Sequence, residues 1–262
     1  MRIPDETIGD VLVAVRSRYD HDLALYSDCL TNAFCRSEAI FWHPRYLEFY
    51  WHCVTTVPNY IQEVVVANAD AESHGSEGLF DLWTKVRGIP EIDSGVRSHF
   101  LDEARHSRLF LHLTNLTFPE YFDEGTLAAK KDALFNPTKY VEDIPSSNAS
   151  IAYIIDNLVQ MNIGEIRTRA HMYMIGPVLT ALAPKENREK VDGILAGLVY
   201  DEVTHIGYTA KIMNSLCQSS HKKLVFDLYE QRVRDFNVFT LEQTRRSVEL
   251  YGKGRFPELL EI

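Results

Sequence analysis

The sequence predicts an all-α fold, a helical bundle in a single domain over residues 1–262. Three observations predict it. Helical periodicity runs through most of the chain, strand signals are sparse, and no repeat, low-complexity stretch or flexible linker divides it. The length suffices for one large domain with a sizeable core. Hydrophobic residues make up 45% and charged residues 24%, an ordinary globular mixture.

Taken in order, residues 5–35 read as a first helix, with Val11, Val13, Val15, Leu23, Leu25 and Leu30 at mixed helical spacings. A second helical region runs from about residue 45 to 71, interrupted at Pro58, where proline removes a hydrogen bond. Glycines and Pro90 make 74–94 a connector with one short helix at 79–86. Ser94 is a candidate N-cap for a helix over 95–116. Pro119, Pro137 and Pro145 mark a second irregular connector over 118–147. Helices follow at 149–174, ending near Gly176-Pro177, at 186–216 and at 222–251, and the tail reads as irregular. The aromatic run Phe41, Trp42, Tyr46, Phe49, Tyr50, Trp51 reads as core.

Two of these helices carry the same box. One holds Asp102-Glu103-Ala104-Arg105-His106 and the other Asp201-Glu202-Val203-Thr204-His205, both D-E-x-x-H. Each follows a lone glutamate on an apolar stretch one long helix earlier, Glu63 and Glu165. Residues three apart share a helix face, so each glutamate projects with its histidine. The faces are mostly apolar: His99, Glu103, His106, Phe110, Leu113 in one, and Leu195, Leu198, Glu202, His205, Thr209, Ile212 in the other. The charged groups thus occupy core positions. Converging buried carboxylates repel one another unless cations lie between them, and two divalent ions balance four carboxylates.

The choice of Glu63 over Glu72 rests on spacing. The interval of 40 from Glu63 to Glu103 resembles the 37 from Glu165 to Glu202 better than the 31 from Glu72 does. Glu72 also sits among polar residues at the expected helix end, where it reads as solvated. Asp102 and Asp201 are candidates to accept the second N–H of the opposite helix's histidine, Asp102 from His205 and Asp201 from His106.

The paired boxes with their two lone glutamates resemble the ferritin-like di-iron carboxylate superfamily over about residues 45–216. The resemblance implies a ferritin-like four-helix bundle with additional N- and C-terminal helices. It implies two iron ions, Fe/Fe or Mn/Fe, held by Glu63, Glu103, His106, Glu165, Glu202 and His205. The aspartate before each ExxH is similar to the oxygen-activating branch. That branch implies O2 as co-substrate, a small-molecule substrate and an external electron donor. Hydroxylation, N-oxygenation, desaturation and oxidative C–C cleavage are all within its chemistry. His99 departs from the common pattern: arylamine N-oxygenases carry a similar extra histidine on the second ExxH helix, whereas here it precedes the first. As an added metal ligand it competes with a core or substrate-contact role.

The other readings are iron storage or peroxide reduction, as in ferritins and rubrerythrins, and an interaction protein with merely structural metals. The net charge of −10 argues against nucleic acid as partner. Cys29, Cys35, Cys53 and Cys217 form no CxxC pair, which fits reduced thiols. MRIPDETIGD lacks an apolar signal core, and no apolar run approaches the ~20 residues of a membrane helix, so a cytoplasmic protein is expected. The C-terminal helix, with Leu224, Phe226, Leu228, Val233, Phe236 and Phe239, caps the bundle or packs on a second subunit of a homodimer.

Overall fold

A computed structural model describes residues 8–19, 22–37, 39–140 and 149–260. Among these residues the chain is all-helical, without a strand. The α-helices are α1 (Ile8–Arg18), α2 (Ala24–Arg36), α3 (Pro44–Thr56), α4 (Tyr60–Val86), α5 (Pro90–Thr117), α6 (Glu124–Ala133), α7 (Ile151–Leu182), α8 (Arg188–Cys217) and α9 (Lys222–Ser247). The described helices include none that is long and apolar enough to cross a membrane.

Several boundaries differ from the sequence expectation for identifiable reasons. The first helix is two, α1 and α2. The side chain of Asp22 accepts from Ala24 N–H at 3.0 Å, and Asn214 on α8 ties the start of α2 from both sides. Its Oδ1 accepts from Tyr26 N–H at 3.0 Å and its Nδ2 donates to the Asp22 carbonyl at 2.9 Å. Residues 74–86 are not a connector but the second half of α4. Gly75 and Gly78 are carried inside the helix, where their intrinsic cost of about 1 kcal/mol each is met by packing. The next helix, α5, starts at Pro90 rather than Gly95. Proline at the first helical position loses no hydrogen bond, and Asp93 accepts from Trp83 Nε1–H at 2.8 Å and Gly88 N–H at 3.0 Å. The second connector contains α6 and a 3-10 turn, Pro137–Lys139; its residues 141–148 lie outside the described residues. Finally α7 runs through Pro177 to Leu182. Pro58, by contrast, does separate two helices, α3 and α4.

The chain sorts into two compact units, one of Met1–Tyr60, Ile155–Met174 and Glu202–Ile262, the other of Ile61–Ile154 and Ile175–Asp201. Both α7 and α8 are unbroken helices with segments in each unit.

The first unit is organised around one buried amide. Asn162 Oδ1 accepts from the hydroxyls of Tyr26 at 3.0 Å and Tyr229 at 2.8 Å. Its Nδ2 donates to Thr209 Oγ1 at 2.8 Å and to the Ile206 carbonyl at 3.3 Å. The Thr209 hydroxyl donates to the His205 carbonyl at 2.7 Å. A single side chain thus satisfies groups from α2, α8 and α9. Of the aromatic run expected in the core, Phe41, Phe49 and Tyr50 are buried, whereas Trp42, Tyr46 and Trp51 are half-buried. A smaller cluster joins Phe49 and Cys53 to Val248 and Leu259.

In the second unit, α4 packs on α5. The Ser76 hydroxyl, fully buried, donates to the Phe100 carbonyl at 2.7 Å. Phe80 packs edge-on against Phe100 and Phe135, with ring centroids 5.3 and 5.7 Å apart. Leu79, Leu82, Phe110, Leu113, Val191 and Leu198 are fully or almost fully buried in its core.

Candidate metal centre

The stripe read from α5 is buried along its length: His99, His106, Phe110 and Leu113 completely, Glu103 to 4% exposure. His99 Nε2 lies 3.4 Å from Glu103 Oε1, and His106 Nδ1 lies 3.5 Å from the same oxygen. The two histidines therefore flank one carboxylate, as their positions four before and three after it on one face dictate.

The partner glutamate on α4 is Glu72, not Glu63. Ligand atoms of Glu72, Glu103 and His106 all lie within 4.8 Å of one another. Glu72 is 8% exposed, against the solvated position expected for it, whereas Glu63 is exposed. The reason is rotational. Nine residues advance a helix by two and a half turns, which puts Glu63 and Glu72 on opposite sides of α4. The buried side is Val65, Ala69, Glu72, Ser76 and Leu79, and Glu63 stands near Tyr121 instead. Gly75 contributes by being small: a Cβ there would meet Glu103 Oε2 at 3.6 Å. Following that stripe across the glycines would have found Glu72 in the sequence. Ending the helix at residue 71 hid it.

Burial pushes the Glu103 carboxyl up. Hydrogen bonding with Glu72, His106 and His99, and the charge of His99, outweigh it and hold Glu103 well below the usual carboxylate range. Two carboxylates this close do not both ionise without a cation or a shared proton between them. The donors are carboxylate oxygen and imidazole nitrogen, a set that suits iron, manganese or zinc.

Asp201, from α8, fits its expected place. Its Oδ2 is 3.2 Å from His106 Nε2 and accepts from Arg105 Nη2 at 2.7 Å. With Nε2 directed at Asp201, the ring turns Nδ1 toward Glu103, the orientation a carboxylate imposes on a metal-binding histidine. Burial pushes Asp201 up, while the hydrogen bonds of His106 and Arg105 and the Arg105 charge hold it below the usual range. Asp102 accepts from Arg105 Nη2 at 2.9 Å. Arg105 thus serves both aspartates.

In the first unit, Glu165, Glu202 and His205 are buried, at 8%, 1% and 2% exposure. His205 Nδ1 is 3.9 Å from Glu165 Oε2 and 3.9 Å from Glu202 Oε2. As in the other box, Nδ1 is the nitrogen turned to the carboxylates. Tyr60, close in sequence to Glu63, packs against the rings of Tyr50 and Tyr251, and its hydroxyl shares a hydrogen bond with the Cys53 thiol.

Fold and site define an all-helical protein whose buried glutamate and histidine groups could hold a metal ion. Compared with protein-family models, curated proteins and solved structures, the chain finds no match.

Replacing Asp201 by asparagine is expected to lower metal affinity by about 10- to 100-fold, because a neutral amide replaces the charged acceptor that fixes the His106 tautomer. Metal-competition titration of the variant would measure this; an unchanged affinity would make Asp201 a surface charge.

Proposed function

We propose that the chain is an oxygen-activating non-haem di-iron oxidoreductase of the ferritin-like kind. It would act on a small organic molecule and draw electrons from an external donor. The ligand set is Glu72, Glu103, His106, Glu165, Glu202 and His205, with His99 as an added nitrogen beside Glu103. On α4 the ligand is Glu72 and not the exposed Glu63.

The observation that carries this reading is the repetition of one local geometry. Each D-E-x-x-H box buries its glutamate and histidine, turns the histidine Nδ1 toward carboxylate oxygen, and has a second buried glutamate beside it.

Bound ferrous ions would supply the electrons that reduce dioxygen. The chain's own residues do the rest. Four glutamates would balance the charge of two divalent ions. Asp201 holds His106 in one tautomer, and Arg105 pairs with both Asp102 and Asp201 and helps hold Asp201 below the usual carboxylate range. Phe110 and Leu113, one and two turns on from His106, line the same face of α5 without a group that could be oxidised readily.

The test is metal analysis of the purified protein, followed by rapid mixing of the ferrous form with oxygenated buffer. About two iron or manganese ions per chain and a transient visible absorbance are expected, as the carboxylate-bundle precedent implies. Stoichiometric metal with no oxygen-dependent spectral change would leave a structural site. Ferrous oxidation in a large cage-like assembly would favour storage.

A further inference from the structure

The four cysteines are free thiols in three different settings. Cys35 is exposed, while Cys29, Cys53 and Cys217 are buried. Burial pushes Cys53 up to about 11, and its hydrogen bond with Tyr60 only partly offsets this. Cys29 and Cys217 face each other. Cys29 lies on α2 and Cys217 is the last residue of α8, both within the first unit. Their thiols are 1% and 3% exposed and share a hydrogen bond. The backbone sets this pairing. Asn214 on α8 holds Tyr26 N–H and the Asp22 carbonyl at the start of α2. Residues three apart share a helix face. Cys217, one turn past Asn214, and Cys29, one turn past Tyr26, are therefore carried on the faces that α8 and α2 turn to one another.

The two thiols are not equivalent. The hydrogen bond with Cys217, and then burial, push Cys29 far up, so it stays protonated and donates. Accepting that hydrogen bond pulls Cys217 below the ordinary thiol value; burial opposes it and the Lys222 ammonium adds to it. The last turn of a helix disfavours an anion, and the Cys29 donor and the Lys222 charge act against that. Tyr26 and Tyr229 stand near the pair as buried phenols, kept neutral by their burial. Beyond Cys217 the chain comes to the surface at once, with Gln218, Ser219 and Ser220 all exposed. A sulfur that holds negative charge thus lies just under the surface, with a protonated thiol in contact behind it. Thiolate character and access decide which cysteines are oxidised, and a second thiol in reach decides where the oxidation stops.

We propose that Cys217 and Cys29 form a dithiol that hydrogen peroxide oxidises to a disulfide, with Cys217 as the attacking sulfur and Cys29 as the resolving one. The Cys217 thiolate attacks one oxygen of the peroxide. The O–O bond breaks, and the departing hydroxide takes up the proton that Cys217 had released and leaves as water. Cys217 is now a sulfenic acid. Cys29 Sγ then attacks the Cys217 sulfur and the S–O bond breaks. The hydroxide released there takes the Cys29 proton and leaves as a second water. The two sulfurs lose two electrons, and the peroxide gains them. Thiols in hydrogen-bond contact already meet the proximity a disulfide demands. The bridge ties α2 to the end of α8, next to the Asn214 contacts that join the same two helices. The site involves none of the proposed metal ligands and stands whether or not the chain binds iron.

The test treats the intact, reduced chain with a few equivalents of hydrogen peroxide, with and without prior chelation. The protein is then alkylated in denaturant, and its unreduced peptides are mapped by mass spectrometry. A Cys29–Cys217 bridge within one chain is expected, reversed by dithiothreitol. It should form at least about tenfold faster than Cys53 is oxidised, since burial keeps the Cys53 thiol protonated. In Cys29→Ser, where a hydroxyl keeps a donor beside Cys217, dimedone should trap a sulfenic acid on Cys217. In Cys217→Ser, Cys29 should remain a thiol under the same dose. The wild-type map needs neither variant. Four results would overturn the proposal: both cysteines recovered as thiols, a bridge that joins other cysteines instead, dimedone on Cys29 in Cys217→Ser, or oxidation of Cys217 no faster than that of Cys53. A bridge that forms only while metal is bound would do so too. Loss of the metal reading with the bridge intact leaves this dithiol standing.

Discussion

The variant Glu72→Ala is expected to purify with at most half of its metal, while Glu63→Ala keeps the full complement. Both changes remove one carboxylate from α4, so the comparison isolates position from charge. At residue 72 the carboxylate lies within 4.8 Å of ligand atoms of Glu103 and His106; at residue 63 it is exposed, half a turn out of phase. Glu103→Ala should be at least as severe, because Glu103 is the carboxylate that both His99 and His106 flank. Removing it should empty that half of the centre. Elemental analysis after identical anaerobic loading reads all three variants. Equal loading of Glu63→Ala and Glu72→Ala would refute the α4 assignment, and a fully loaded Glu103→Ala would refute the centre itself.

A second large effect concerns stability. Asn162→Ala should destabilise the protein by about 3–5 kcal/mol. The estimate follows from leaving several buried polar groups without partners, at roughly 1–3 kcal/mol each with some relaxation. The groups are the hydroxyls of Tyr26 and Tyr229, the Thr209 oxygen and the Ile206 carbonyl. Tyr26→Phe, which removes one donor and leaves the amide its other partners, should cost only about 1 kcal/mol. Denaturant unfolding of the two variants measures the difference. Similar midpoints would mean that the amide is replaced by water and organises nothing. The network also bears on the site, since Thr209 donates to the carbonyl of His205.

Much of this was legible in the sequence because it is local. The i, i+3 spacing of Glu103 with His106, and of Glu202 with His205, places each pair on one face of any helix that contains it. The apolar neighbours at the same phase say that the face is buried, as it is. Asp201 was legible for the same reason, being bound by helix geometry to Glu202. Pro58 was a reliable break because a missing N–H acts whatever the surroundings.

The errors share a cause as well. Gly75 and Gly78 predict an end to α4 and Pro177 an end to α7, yet both helices run on. Intrinsic propensity sets a cost of about 1 kcal/mol for a glycine, and burial of neighbouring side chains such as Leu79 and Leu82 exceeds it. Likewise, α1 and α2 separate around side-chain hydrogen bonds, two of them from Asn214, some 190 residues away, which no local pattern announces.

By itself, then, the sequence determined an all-helical chain with two Glu-x-x-His pairs on buried faces, since helical phase follows from residue spacing alone. Only the tertiary structure decided which α4 glutamate lies beside Glu103 and where α1 gives way to α2. Both depend on where a helix stops and what packs on it, and those are set by burial shared between segments far apart in the chain.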